Sequence, residues 1–219
     1  MIIGSLYVTA GAIALGVPCG VLCAVFMAEY CPAGLYRFMK PAVDLLAGIP
    51  SVVYGFFGLV VIVPAVRQIF GGGKSVLTAS ILLAIMILPT IISVSEAAIR
   101  AVPKSYYEGA LALGATKERA IFGVSLPDAK SCVSAGIILG IGRAIGETTA
   151  IVMIAGNQPV IPDSILSGVR TLTTNIILEM GYAQDLHREA LIATAAVLFV
   201  FVLLINLMFS VLKSKEGNR

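Results

Sequence analysis

The stretch Ser75-Val-Leu-Thr-Ala-Ser-Ile-Leu-Leu-Ala-Ile-Met-Ile-Leu-Pro-Thr-Ile-Ile92 contains no charged side chain. A helix of about 20 apolar residues crosses the hydrocarbon core of a bilayer. The stretch therefore predicts a transmembrane helix, because an open sheet would leave backbone groups unpaired in lipid. Four further stretches share this apolar character, at about 2–28, 49–66, 132–155 and 190–212. We expect an all-α, polytopic transmembrane helix bundle with about five spans.

The composition of the whole chain agrees with this expectation. Of its 219 residues, 58% are hydrophobic and 12% are charged, whereas soluble domains carry about 25% charged residues. So few charges cannot cover a soluble globule, which excludes an ordinary cytosolic enzyme. The net charge of +3 excludes a strongly basic protein that binds nucleic acid. We expect residues 1–219 to form a single transmembrane domain.

Lysine and arginine residues predict the orientation, because they are enriched in cytoplasmic loops. Most of them lie in the 29–48 loop, the 93–131 loop and the C-terminal tail, where they are Arg37, Lys40, Arg100, Lys104, Lys117, Arg119, Lys130, Lys213, Lys215 and Arg219. The other side holds only Arg67, Lys74, Arg170 and Arg188. We therefore expect a cytoplasmic C-terminus and an outward N-terminus. An odd number of spans with this orientation suggests that a further span precedes them.

The largest predicted cytoplasmic segment, at about 93–130, should contain two short helices. Pro103 can open the first helix, and Gly114 can close it with left-handed backbone. Thr116 can cap a second helix that runs to about residue 122. Pro127 is expected to end the segment before the next span.

Small residues on the first of these helices suit close docking into a partner's groove. Glu108-Gly-Ala-x-x-x-Gly114, followed after nine residues by Val124-Ser-Leu-Pro127, resembles the EAA motif of ABC-importer permeases. Gly109 and Val124 depart mildly from that pattern. The resemblance implies that the segment is a coupling helix that docks on an ATP-binding subunit. The docking residues that it implies are Glu108, Gly109, Ala110, Gly114, Ala115, Leu126 and Pro127.

The fourth predicted span carries two charges, Arg143 and Glu147. A charge at this depth costs at least about 2.5–3.5 kcal/mol, and side chains at i and i+4 of a helix can reach each other. Gly136 and Gly140 lie on the same helix face, which should therefore meet a partner helix or a water-filled path. Two interpretations are open. The pair is either a structural ion pair or an anion-handling site, in which the guanidinium fork matches a tetrahedral oxyanion.

The run Gly142-Arg-Ala-Ile-Gly-Glu-Thr148 resembles a segment in the membrane subunits of the high-affinity (Pst-type) phosphate ABC importer. The similarity covers nearly the whole chain, since Ala28-Glu-Tyr30, Ala47 to Gly55, Ala155 to Pro162 and Arg170 to Thr173 also match. It implies the type I importer permease fold, which usually has six spans. It also implies a phosphate path through Arg143, Glu147 and Thr148.

The resemblance further implies a transport subunit rather than an enzyme, placed in the inner (cytoplasmic) membrane and moving inorganic phosphate inward. Its implied partners are a pair of ABC ATPase subunits, a second related permease, an extracellular phosphate-binding protein and the lipid bilayer. ATP and Mg would be bound by the ATPase. The alternatives are an ABC permease for sulfate, molybdate or tungstate, and a secondary phosphate transporter that works without an ATPase.

No ATP site, cofactor or metal is expected in the chain itself. Gly71-Gly-Gly-Lys-Ser75 ends like a P-loop, but Gln68 stands where that motif needs glycine and no strand precedes it. We interpret it as a tight outer turn. Four cysteines and one histidine lack the spacing of a zinc site.

Two surface helices complete the sequence predictions. Residues 35–48, with Arg37, Lys40 and Asp44, are typical of an amphipathic helix on the inner membrane surface. The outer loop 157–189 is expected to contain a short helix on the outer face, and His187 is expected at the membrane interface.

Overall fold

A computed structural model describes the backbone of residues 1–217 and the side chains of residues 1–207. The predicted cytoplasmic tail charges Lys213, Lys215 and Arg219 lie outside these described side chains. In chain order the helices are α1 (Ile2–Val25), α2 (Ala33–Gly48), α3 (Ser51–Phe57), α4 (Val63–Phe70), α5 (Val76–Arg100), α6 (Lys104–Ala112), α7 (Lys117–Ala120), α8 (Leu126–Gly146), α9 (Thr149–Ile154), α10 (Leu172–Met180) and α11 (Asp185–Gly217).

Five helical segments of the described chain are long and apolar enough to cross a membrane. They are Ile2–Tyr30, Ser51–Phe70, Val76–Arg100, Lys117–Gly146 and Asp185–Leu207. The predicted all-α bundle with about five spans is thereby confirmed. The third span is longer than predicted, because the helix continues to Arg100 through small and apolar residues and through Glu96, whose carboxylate is hydrogen-bonded.

The fourth span begins earlier than predicted, because the helix passes Pro127 instead of ending there. A π-helical turn at Ile121–Ser125 joins α7 to α8 without a break. The Leu126 amide bonds back to the Ile121 carbonyl, five residues earlier. This wider turn accommodates a proline whose ring and missing N–H would otherwise disrupt a regular helix. The expected end of the segment at Pro127 was therefore wrong.

The described chain divides into two compact units, and unit 1 contains Met1–Gly16, Ile49–Ile87 and Ile141–Met208. Its interior is built from fully buried apolar side chains, among them Leu82, Leu83, Met86, Ile151 and Ile154. Helix α3 packs closely on α9, since a Cβ added at Gly55 would lie only 2.9 Å from the Ala150 Cα. This packing fixes α9, the short helix that follows Thr148.

Unit 2 contains Val17–Gly48 and Leu88–Gly140. Its main apolar cluster consists of Ala24, Val25, Ile99, Ile121, Ala129 and Val133. The cluster joins the end of α1 to α5, to the turn after α7 and to α8. Gly136 of α8 permits close approach to α5, because a Cβ there would lie 3.0 Å from the Val94 Cβ. The assignment of 1–219 to a single domain stays a prediction.

Candidate functional site

The helix that carries Arg143 is interrupted two residues before α9 begins. Helix α8 ends at Gly146 and α9 starts at Thr149, so Glu147 and Thr148 are not helical. The predicted continuous span over 132–155 was therefore wrong in its last part. Irregular backbone at membrane depth is tolerated where it is buried in protein or lines a water-filled cavity. The interruption, which comprises Glu147 and Thr148, is accordingly a candidate functional site.

Side chains satisfy several backbone groups that the interruption exposes. The Glu147 Oε1 accepts a hydrogen bond from the Ala150 amide at 3.1 Å, which satisfies a donor in the first turn of α9. The Thr148 Oγ1 donates to the Gly146 carbonyl at 3.2 Å. The Thr173 Oγ1 donates to the Glu147 carbonyl, also at 3.2 Å. The break is thus stabilised by specific contacts.

Arg143 is half-buried and lies about one turn before the interruption. Among the ion pairs of the described residues, none joins Arg143 to Glu147. The expected i, i+4 pair does not form, because Glu147 has left the helix and its carboxylate bonds to Ala150. The buried Tyr54 of α3 lies within electrostatic range of the Arg143 guanidinium. No carboxylate of the described chain occupies the guanidinium, whose planar donors can therefore meet an oxyanion.

Helix α10, which comes later in the chain, contacts the interruption through Thr173, and its first turn is buried. Thr171 caps it: its Oγ1 accepts from the Thr174 amide at 3.2 Å, and its own amide donates to the Thr174 Oγ1 at 2.9 Å. The Leu172 amide donates to the Ser5 Oγ of α1 at 3.0 Å. The short helix expected within 157–189 is confirmed as a helix. Its first turn is buried in unit 1, however, and does not lie on the outer face. The hydroxyl groups of Thr171 and Ser5 accept hydrogen bonds from its amides there.

A second polar group in unit 1 was not found from the sequence. The Arg170 Nη1 donates to the Glu179 Oε1 at 2.7 Å and to the Asn175 Oδ1 at 3.3 Å. Glu179 also accepts a hydrogen bond from the Tyr182 hydroxyl, and His187 lies 3.8 Å away. The Tyr182 hydrogen bond, followed by Arg170, lowers the pKa of Glu179 below its ordinary value. No helical periodicity pairs Arg170 with Glu179, because Arg170 precedes the cap of α10 and Glu179 lies near the other end of that helix, nine residues later.

The predicted docking segment in unit 2 has the expected local structure. Helix α6 is preceded by Pro103 as its N-cap, and Gly114 adopts a left-handed conformation with φ of +86°. The Thr116 Oγ1 caps α7 by accepting from the Arg119 amide at 3.3 Å. The Lys117 ammonium lies 4.5 Å from the Tyr30 ring centroid, which fastens α7 to the end of the first span.

The seven predicted docking residues lie at or near the surface of this segment. Glu108, Gly109, Gly114 and Pro127 are exposed, whereas Ala110, Ala115 and Leu126 are half-buried. Leu126 and Pro127 stand apart from the others, in the first turn of α8. The structure adds exposed apolar side chains that the sequence motif does not include: Tyr106, Leu111 and Leu113, of which Leu113 is 91% exposed.

Comparison with known proteins identifies the family. The family of binding-protein-dependent transport system inner membrane components matches residues 16–216. The chain belongs to this family. It is 41% identical over 217 residues to the probable ABC transporter permease protein YqgH of Bacillus subtilis (strain 168), with 95% of this chain and 70% of the relative covered. It is 35% identical over 242 residues to the phosphate transport system permease protein PstC of Xylella fastidiosa (strain 9a5c), with 99% and 75% covered.

Solved structures of ABC importers share the fold of this inner membrane component. A chain of the MetNI methionine ABC transporter, in an inward-facing conformation, superposes with a TM-score of 0.79 at 19% identity, over 97% of this chain and 93% of that chain. A chain of the bacterial alginate ABC transporter, in complex with a pentasaccharide-bound periplasmic protein, superposes with a TM-score of 0.69 at 21% identity, over 95% and 75%. The predicted type I importer permease fold and the predicted family are confirmed. The chain is a multi-pass membrane permease subunit of an ABC importer.

Proposed function

We propose that the chain is the membrane-spanning subunit of an ATP-driven importer that carries inorganic phosphate inward. The observation that carries the proposal is the interruption at Glu147 and Thr148, which follows an Arg143 guanidinium without a carboxylate partner in the described chain. A planar fork of charged donors suits a tetrahedral oxyanion in bidentate geometry. The relatives described as phosphate transport system permeases support phosphate as that oxyanion.

Glu147 has a distinct role in the proposal. Its Oε1 is bound to the Ala150 amide, whereas the second carboxylate oxygen is available as an acceptor. Phosphate at neutral pH carries a proton and can donate a hydrogen bond to a carboxylate. An ionised carboxylate accepts hydrogen bonds and donates none. Sulfate has no such proton at this pH. Glu147 would thus favour phosphate over sulfate, and its negative charge would keep Arg143 from holding the anion too tightly. Thr148 would contribute a hydroxyl at the same break.

The proposal includes partners that complete the importer. A pair of ATPase subunits would bind ATP and Mg and would dock on the exposed α6–α7 segment. A second related permease would complete the translocation path, and an extracellular phosphate-binding protein would deliver the ion. The C-terminus would lie in the cytoplasm, and the membrane would be the inner membrane. The exposed Tyr106, Leu111 and Leu113 support docking, because they are apolar side chains left exposed in a segment outside the five helices of the described chain that could cross a membrane.

The test is transport by the whole complex in proteoliposomes, with the chain, its partner permease, the ATPase and the binding protein. We expect uptake of labelled phosphate that requires ATP and is not reduced by excess sulfate, molybdate or tungstate. Uptake of one of those anions in preference to phosphate would contradict the substrate. Phosphate uptake without ATP would contradict the ATP-driven mechanism and indicate a secondary transporter.

A further inference from the structure

A buried carboxylate in unit 2 is bound from two helices. Glu96 of α5 is only 3% exposed. Its Oε1 accepts a hydrogen bond from the Tyr36 hydroxyl at 2.9 Å, and its Oε2 accepts one from the Lys40 ammonium at 3.3 Å. Arg100, one turn later on α5, forms an ion pair with the same carboxylate. A charge buried to this degree is stable only when it is paired and hydrogen-bonded, and here it is both.

Arg100 extends these contacts to the end of the first span. Its Nη2 donates to the Met27 carbonyl at 2.9 Å, within the π-helical turn Phe26–Tyr30. Its guanidinium also stacks on Tyr36, with Cζ 4.1 Å from the ring centroid. Burial, followed by the hydrogen bond to Glu96, raises the pKa of Tyr36, so the hydroxyl remains a donor at neutral pH. We call Tyr36, Lys40, Glu96 and Arg100 the Glu96 clamp.

The clamp lies directly before the docking segment. Arg100 is the last residue of α5, and α6 begins at Lys104. The start of the connection is bonded back to α5, since the Ala101 amide donates to the Ala97 carbonyl at 3.1 Å and the Val102 amide donates to the Ile99 carbonyl at 3.3 Å. Tyr107 of α6 packs against the apolar cluster that includes Ile99. A displacement of α6 therefore acts on a short, hydrogen-bonded connection.

The two cations of the clamp are already paired, Lys40 with Glu96 and Asp44, and Arg100 with Glu96 and the Met27 carbonyl, so the clamp does not offer a site for a transported anion. A buried ion pair is also weak evidence for stability, since apolar replacements are often as stable. What the clamp does provide is a fixed geometry, because three chain segments meet at one carboxylate and one guanidinium. Fixed geometry matters most next to a part that moves.

We propose that Glu96 is a positioning residue for energy coupling. The clamp fixes the end of α5 to α2 and to the end of the first span, so that movement of α6 is transmitted to α5 instead of being absorbed by the connection. The inference rests on the proposed function, in which α6 docks on the ATPase. Loss of the clamp should leave docking and ATP hydrolysis in place but reduce the phosphate imported per ATP.

Glu96→Gln tests this inference in the full complex. Glutamine keeps the side-chain shape and can still accept from Tyr36, but it removes the charge that Lys40 and Arg100 neutralise. Asp44→Asn is the matched control. Asp44 pairs with the same Lys40 at 3.6 Å but is 56% exposed, and it forms no ion pair with Glu96 within the described part of the chain. Tyr36→Phe serves as a milder variant, since it keeps the ring under Arg100 and deletes one hydrogen bond.

Two measurements are needed. Hydrogen–deuterium exchange of the purified complex should show faster exchange over 33–48 and 101–112 in Glu96→Gln, and not in Asp44→Asn. In proteoliposomes, phosphate imported per ATP hydrolysed should fall about fivefold or more, as expected for a lost coupling of about 1 kcal/mol or more. Tyr36→Phe should change both quantities in the same direction but less, and it replaces Glu96→Gln if the latter fails to accumulate.

Unchanged exchange would overturn the clamp, whatever the transported ion is. Faster exchange with an unchanged ratio of phosphate to ATP would overturn its role in coupling. A parallel fall of uptake and hydrolysis with protein abundance would show a role in stability alone and would also overturn it. A wild-type complex that hydrolyses ATP without importing phosphate would contradict the proposed function instead, and the exchange measurement would still decide the clamp.

Discussion

The interruption between α8 and α9 and the docking segment α6–α7 differ in which groups they bury and which they expose. The interruption lies in unit 1, and its polar backbone groups are bonded by Glu147, Thr148 and Thr173. The docking segment lies in unit 2, and no residue of α6 is buried. It exposes apolar side chains, of which Leu113 is the most exposed. The interruption thus places hydrogen-bonded polar groups in an apolar part of the chain, whereas the docking segment exposes apolar side chains in a polar part.

The comparison shows where each region needs something from outside the chain. At the interruption several backbone groups are hydrogen-bonded within the chain, and the Arg143 guanidinium is the group that an external anion would complete. On the docking segment the backbone is regular and the side chains of Tyr106, Leu111 and Leu113 are exposed, and in the proposed function the ATPase surface would cover them. The first region should therefore be sensitive to changes in chemistry. The second should be sensitive to changes in backbone shape.

Gly114→Pro should have the largest effect, because it breaks the shape of the docking segment. Gly114 has φ of +86°, whereas proline is locked at φ of about −65°. The turn between α6 and α7 cannot form, and we expect phosphate uptake near background with loss of ATPase co-purification. Protein abundance in the membrane should be unchanged, since Gly114 is exposed and a Cβ there would meet no atom within 4 Å.

Gly114→Ala is the control for this prediction. Alanine can adopt left-handed backbone at a cost of about 1–2 kcal/mol, so the turn is weakened rather than lost. We expect partial uptake and partial recovery of the ATPase. Full ATPase recovery with Gly114→Pro would contradict the assignment of α6–α7 as the docking segment.

Arg143→Lys should have the next largest effect, because it changes chemistry at the interruption without changing backbone shape. Lysine keeps the charge and loses the planar fork. A lost charge-assisted hydrogen bond of about 1.5–3 kcal/mol corresponds to about 12- to 160-fold slower phosphate uptake. Subunit levels and ATPase co-purification should match the wild type. Labelled-phosphate uptake at equal protein abundance measures the effect, and wild-type uptake would leave Arg143 with a structural role only.

These two predictions also show what the sequence could and could not predict. The docking segment follows from local signals: a proline before α6, a glycine in left-handed backbone and a threonine cap. Each acts within a few residues, so the sequence placed them correctly. The π-helical turn at Ile121–Ser125 cannot be predicted from such signals, and the expected end of the segment at Pro127 was consequently wrong.

The interruption was missed for a related reason. Pairing Arg143 with Glu147 assumes an unbroken helix. The helix is interrupted instead, and hydrogen bonds with residues outside α8 stabilise the interruption. Thr173 is far along the chain, and its bond to the Glu147 carbonyl has no sequence signature. The Glu96 clamp was not predicted, and only one of its contacts has a sequence pattern, the i, i+4 spacing of Glu96 and Arg100 on α5. Tyr36 and Lys40 come from another helix, and only the fold brings them there.

Glu147→Gln and Glu147→Ala, made as two separate variants, should each have an intermediate effect. Comparing them separates the proposed contact of Glu147 with phosphate from its hydrogen bond with the Ala150 amide. Glutamine can still accept from the Ala150 amide through its amide oxygen, but its other group is a donor that cannot accept the proton of phosphate. We expect uptake to fall about 2- to 12-fold, the equivalent of a net hydrogen bond of about 0.5–1.5 kcal/mol, and sulfate to compete. Alanine also loses the bond to Ala150, so uptake should fall further and the complex should melt at a lower temperature.

An equal loss in both variants, without competition by sulfate, would restrict Glu147 to its bond with α9. The measurement is labelled-phosphate uptake with and without excess sulfate, beside thermal unfolding of the purified complex.

Gly109→Ala should have the smallest effect and tests the limits of the resemblance to the EAA motif. Gly109 lies within α6, is exposed, and has no atom of the described chain within 4 Å of an added Cβ. Alanine is favoured over glycine in a helix interior by up to about 1 kcal/mol, and it restores the family residue at this position. We therefore expect a slightly more stable α6, with normal ATPase co-purification and normal uptake. Reduced uptake would mean that the docking partner approaches the α6 backbone at Gly109 too closely for a methyl group, and the docking surface would then include this face of the helix.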